Sequence, residues 1–176
     1  MTRLLDRLPR ELSREATRAI LPPARTVLVA TDGTPSSRAA VQKGLSMAQE
    51  LGARVTFVSA YRPPWAALGK PYYERSLRKR LAVAREALDE AKAVSEAFGT
   101  DADYEIVEGR PASAIARLAA ARDADLVVVG SRDLTAPVAA LCGSVSRSLV
   151  GRSDRAVLVA KDGRCGKSGA VLFPAA

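Results

Sequence analysis

The strongest constraint on the fold is a run of four apolar residues that stops at a glycine, Leu126-Val127-Val128-Val129-Gly130. A strand apolar at every position is buried on both faces, as inside a parallel sheet. The glycine marks its carboxyl edge and permits a turn that a Cβ would hinder. Ser131-Arg132-Asp133 follow, and Gly143-Ser144-Val145-Ser146 stand ten residues on, where a helix opens. A glycine-ended strand, a loop and a second glycine at a helix start form a cradle for an anion. Free backbone N–H groups and the positive end of the helix dipole would face the same space. A nucleotide phosphate is the expected occupant.

The rest of the chain alternates strands with helices. Thr26-Val27-Leu28-Val29-Ala30-Thr31 reads as a second buried strand. After Asp32-Gly33-Thr34-Pro35, Ser36 or Ser37 is expected to cap a helix over 38–51, with Ala40, Val41, Leu45 and Ala48 inward and Gly52 as its stop. Residues 54–60 form a third strand. A proline-marked stretch over 61–72 contains Trp65, which either covers a ligand or caps the core. A helix over about 73–98 carries Leu77, Leu81, Ala84, Leu88, Ala91 and Phe98 at three- and four-residue spacing. Residues 102–108 are a strand, and Pro111 opens a helix over 112–121. Ala156-Val157-Leu158-Val159-Ala160 is the last strand expected. Five strands alternating with helices predict an α/β fold: a doubly wound parallel sheet with helices on both faces.

Two extensions flank this unit. Leu4, Leu5, Leu8, Leu12, Ala16 and Ile20 recur at helical spacing among arginines, so residues 1–24 are expected to be a helical extension broken at Pro9 and closed by Leu21-Pro22-Pro23. Its scattered charges do not resemble a signal peptide. Residues 25–161 are expected to be the α/β domain and 162–176 a tail. No apolar run approaches the roughly 20 residues that span a bilayer.

The net charge is +8, with the excess at the termini and around Arg75, Arg78, Lys79 and Arg80. No nucleic-acid motif accompanies it, so the basic groups read as a solvated face and no nucleic-acid partner is expected. Two cysteines, Cys142 and Cys165, match no metal spacing and fit a reducing, cytoplasmic compartment. The chain has no histidine, which excludes Ser-His-Asp triads and histidine general bases. Gly166-Lys167-Ser168 looks like the end of a P-loop, but Lys161 stands where its first glycine belongs. No activated nucleophile emerges, and an enzyme is not expected.

The organising stretch, with Val29-Ala30-Thr31-Asp32-Gly33-Thr34 and Glu108-Gly109-Arg110-Pro111-Ala112, resembles the universal stress protein family over about residues 26–161. The family's nucleotide signature is Gly, two residues, Gly, nine residues, then Gly-Ser or Gly-Thr. Gly130 fits the first position and Gly143-Ser144 the last two, while Asp133 replaces the middle glycine. The resemblance implies strand order 3-2-1-4-5 and an adenine nucleotide (ATP, ADP or AMP) as ligand without appreciable hydrolysis, and Mg²⁺ is the candidate ion to accompany it. Asp32 would meet the ribose. Thr31, Ala60 and Val129 would line the base pocket, and Gly130, Gly143, Ser144, Val145 and Ser146 would hold phosphates. Arg132 would add positive charge. The resemblance also implies a homodimer through the last strand, 156–160, whose unpaired apolar edge gives a separate reason to expect pairing.

Asp133 places a carboxylate near phosphate oxygens. Two unit charges about 4 Å apart repel by about 1–4 kcal/mol, depending on the dielectric. The alternative expectation is therefore a nucleotide-free dimeric interaction protein of the same fold, its site impaired by Asp133.

Overall fold

The computed structural model describes residues 24–131, 144–161 and 170–173. The order is β1 (Thr26–Ala30), α1 (Pro35–Leu51), β2 (Arg54–Tyr61), a 3₁₀ turn (Ala66–Leu68), α2 (Lys70–Ala97), β3 (Ala102–Glu108), α3 (Pro111–Ala121), β4 (Leu126–Ser131), α4 (Ser144–Val150), β5 (Ala156–Lys161) and β6 (Ala170–Phe173). They build one sheet in the order β3-β2-β1-β4-β5-β6. The first five are parallel in the expected 3-2-1-4-5 order, and β6 runs antiparallel to β5.

Alternate residues of each strand feed two separate cores. Val27, Val29, Val55, Phe57, Leu126, Val128 and Leu158 point to α1 and α2, where they meet Val41, Leu45, Leu88 and Ala91. Leu28, Val58, Val127, Val129, Val157 and Val159 point the other way, against Ile115 and Ala119 of α3 and Leu149 of α4. This is why the central strands are apolar at every position: neither face meets water.

Local chemistry explains the element ends. The Asp125 carboxylate accepts from the backbone N–H groups of Arg25 (2.7 Å) and Thr26 (3.0 Å), anchoring the start of β1 beside β4. Gly52 ends α1 with φ +65°, as its expected role as a stop requires. Gly44 lets α1 lie close on the sheet, since a Cβ there would fall 2.5 Å from a Val29 methyl group.

Several expectations need correction. Neither Ser36 nor Ser37 caps α1. Thr34 takes the cap position, its carbonyl accepts from the N–H groups of Ser37 and Arg38, and Pro35 fills the first turn. The helix expected over 73–98 begins at Lys70 and ends at Ala97. The last strand's edge is not open. β6 pairs along it, Val157 with Phe173 and Ala160 with Ala170, so the edge expected to carry a homodimer is occupied by the same chain. Nothing in residues 162–176 alternates regularly, and a four-residue strand is too short to announce itself by period. Of the helical extension expected over residues 1–24, all but Ala24 lies outside the described residues.

Candidate functional site

The chain leaves β1 toward β2 on one side of the sheet and reaches β4 on the other. At such a reversal the connections diverge and open a crevice beyond the carboxyl ends of the strands. A cavity of about 270 Å³ lies there, near the lower end of the ~300–1,000 Å³ range of small-molecule sites. It is lined from β1 and its following loop by Ala30, Thr31, Asp32 and Thr34, and from the first turn of α1 by Ser36 and Ser37. Val58 and Ala60 of β2, Pro111 and Ile115 of α3, Val129 and Gly130 of β4, and Ser144, Val145 and Ser146 of α4 complete it.

The structure brings Thr31, Asp32, Ala60, Val129, Gly130, Ser144, Val145 and Ser146 of the expected residues together in this one cavity. Arg132, Asp133 and Gly143 lie outside the described residues. Ala30, Thr34, Ser36, Ser37, Val58, Pro111 and Ile115 line the cavity without having been expected there. A usable signal existed: in a doubly wound sheet the residues just after each strand, opening the next helix, converge on the same edge. Trp65 does neither of the two things expected of it. It lines no part of this cavity and is 74% exposed.

The loop after β1 is held by its own hydroxyls. Asp32 Oδ1 accepts from Thr34 Oγ1 (2.6 Å) and from the Thr34 N–H (3.2 Å), a side-chain turn of the kind aspartate favours. Thr31 Oγ1 donates to Ser37 Oγ (3.2 Å), and Ser37 Oγ donates to the Thr34 carbonyl (2.8 Å). Both hydroxyls are buried, and the Thr31 N–H donates to the Val58 carbonyl (2.9 Å), tying the loop to β2. Asp32 is exposed at the mouth.

The lining divides by chemistry. Ala30, Val58, Ala60, Ile115, Val129 and Val145 make an apolar wall suited to a flat ring. Thr31, Thr34, Ser36, Ser37, Ser144 and Ser146 supply hydroxyls, and Asp32 is the one carboxylate among the described lining residues. No lysine or arginine lines the described part, so hydroxyl and backbone N–H donors would have to hold an anion there. Apolar side chains, hydroxyls and one carboxylate thus share the described lining.

The sequence profile of the universal stress protein family matches residues 23–161. The chain belongs to that family. Among family members, a universal stress protein of Thermus aquaticus is 36% identical over 137 residues, spanning 78% of this chain and 98% of its own. The stress response protein NhaX of Bacillus subtilis is 28% identical and spans 78% of this chain and 98% of its own. A universal stress protein crystallised with cAMP is 33% identical, with a TM-score of 0.59 over 78% of this chain and 97% of that one. A family member from Burkholderia pseudomallei, 22% identical, shares the fold with a TM-score of 0.65 over 78% of this chain and 96% of that one.

Proposed function

We propose that this chain is a cytoplasmic, non-catalytic module that binds an adenine nucleotide in the cavity between β1 and β4. The observation that carries the reading is the exposed Asp32 carboxylate beside Gly130 and the start of α4, in a cavity lined by apolar side chains and hydroxyls. The cAMP complex of a relative 33% identical supports an adenine nucleotide as the ligand. In this reading Thr31, Ala60, Val58 and Val129 pack on the base, and Asp32 accepts from ribose hydroxyls. Gly130 and the segment Ser144-Val145-Ser146 face the phosphate, with Gly143, Arg132 and Asp133 completing that end. The contribution of Asp133, and of any Mg²⁺ that offsets its charge, sets the preference among ATP, ADP and AMP.

Calorimetric titration with ATP, ADP and AMP, with and without Mg²⁺, tests this. Saturable binding that weakens in Asp32→Ala is expected, as is a gain in ATP affinity in Asp133→Gly. Absence of binding by all three nucleotides to the wild-type chain would overturn the proposal. The nucleotide-free reading rests on Asp133, and Gly130 does not weigh against it, since packing requires that glycine whether or not a phosphate sits beside it. Binding that appears only in Asp133→Gly would support that second reading.

A further inference from the structure

The amino-terminal half of α2 is nearly bare. At about 1.5 Å per residue its 28 residues extend roughly 42 Å, well beyond the roughly 26 Å of the eight-residue β2 on which it packs. Its buried residues begin only at Ala84. On helical geometry Tyr72, Arg75, Lys79 and Val83 fall within roughly 80° of one another, on the side opposite Ala84, Leu88 and Ala91. All four are exposed, Tyr72 by 70% and Val83 by 52%. Trp65, 74% exposed, sits in the short segment leading into the helix. These are three of the four large exposed hydrophobics among the described residues.

The same stretch concentrates the charge. Residues 62–85 hold seven cations, Arg62, Lys70, Arg75, Arg78, Lys79, Arg80 and Arg85, against the single acid Glu74. A solvated basic face accounts for the cations but not for an exposed tryptophan, tyrosine and valine among them.

We propose that this face of α2, with Trp65, docks on an anionic lipid bilayer. Basic residues beside a membrane are drawn to acidic headgroups, and tryptophan and tyrosine settle at the level of those headgroups. The aliphatic stems of Arg75 and Lys79 lie along the apolar surface while their charges reach the headgroups. Val83 adds apolar area that has no use in stacking on nucleobases but inserts readily between lipids. The occupant is thus a lipid surface rather than an oligonucleotide.

Trp65 is the chain's single tryptophan, so its fluorescence reports this site alone. The full-length chain is mixed with vesicles of phosphatidylglycerol and phosphatidylcholine, with vesicles of phosphatidylcholine alone, and with a single-stranded oligonucleotide. The expected result is a blue shift of the Trp65 emission with the anionic vesicles only, reversed by high salt. The double variant Arg75→Glu, Lys79→Glu is expected to weaken vesicle binding by about tenfold or more, while its far-UV circular dichroism stays that of the wild type. Tyr72→Ala is expected to weaken binding without changing its salt dependence. No shift with anionic vesicles, an equal shift with neutral ones, or undiminished binding by the double variant would overturn the proposal. So would a response to the oligonucleotide alone.

Discussion

Gly130 lies directly against the backbone of Ser36: a Cβ built on it would overlap the Ser36 carbonyl oxygen and fall 2.6 Å from the carbonyl carbon. The Ser37 nitrogen would be 2.9 Å away. The strand runs one residue past this glycine, to Ser131, so Gly130 makes no turn; it lets the first turn of α1 close over β4, beside the cavity that both elements line.

Because the obstructing atoms are backbone, they cannot rotate away. Gly130→Ala is expected to destabilise the fold by about 1–3 kcal/mol through overpacking. For a chain of this size that lowers the melting temperature by roughly 3–10 °C. Calorimetry without nucleotide should show the loss. A melting temperature unchanged in the absence of nucleotide would mean the glycine serves ligand approach alone.

Asp32 has a local partner in Thr34 as well as a place at the cavity mouth. Asp32→Asn retains an oxygen able to accept from Thr34 but loses the charge. Hydrogen bonds to charged groups are worth about 1.5–3 kcal/mol, so nucleotide affinity should fall by roughly 10- to 100-fold with little change in melting temperature. Titration of the two proteins side by side reads the difference. Equal affinities would remove the ribose role.

The Asp125 carboxylate holds two backbone N–H groups at the start of β1. Asp125→Ala leaves the partly buried Thr26 N–H without this acceptor and is expected to cost about 1–3 kcal/mol. Denaturant unfolding should show a lower midpoint at an unchanged slope. Amide exchange of Val27 should rise first, since the loss begins at that end of the strand.

Tyr61 donates a hydrogen bond to Glu108 Oε2 (2.8 Å), joining the ends of β2 and β3. That bond, then partial burial and the Glu108 charge, raise its pKa above the usual tyrosine value near 10. The neutral phenol is the favoured form. Its contribution to stability is fully present below about pH 10 and is lost as pH rises through the raised folded value. Spectrophotometric titration should find the Tyr61 phenol displaced upward, and Glu108→Gln should return it toward the ordinary value.

β6 shields the edge of β5, packing Leu172 on one core and Phe173 on the other. Leu172→Asp with Phe173→Asp should release it. Faster exchange of the β5 amides and concentration-dependent self-association are the expected results, because an apolar strand edge then opens. Unchanged β5 protection would mean β6 contributes little to that edge.

What the amino-acid sequence determined by itself was the alternation of elements and the burial of each strand. Leu126–Val129, Val27–Ala30 and the Ala40, Val41, Leu45, Ala48 stripe record in every residue whether one face or both are dry. The convergence of Asp32, Gly130 and Ser144 was legible as well, through spacing that resembles a known family. Tertiary structure alone decided the rest. Thr34 rather than Ser36 or Ser37 caps α1, and the Ser37 hydroxyl is instead engaged by Thr31, on the strand side of the turn. Trp65 stands in solvent, and a four-residue strand closes an edge that looked free. Period and composition describe what a residue prefers along its own element. Which backbone approaches which, as Ser36 does Gly130, depends on contacts between residues far apart in the chain, and no local pattern encodes them.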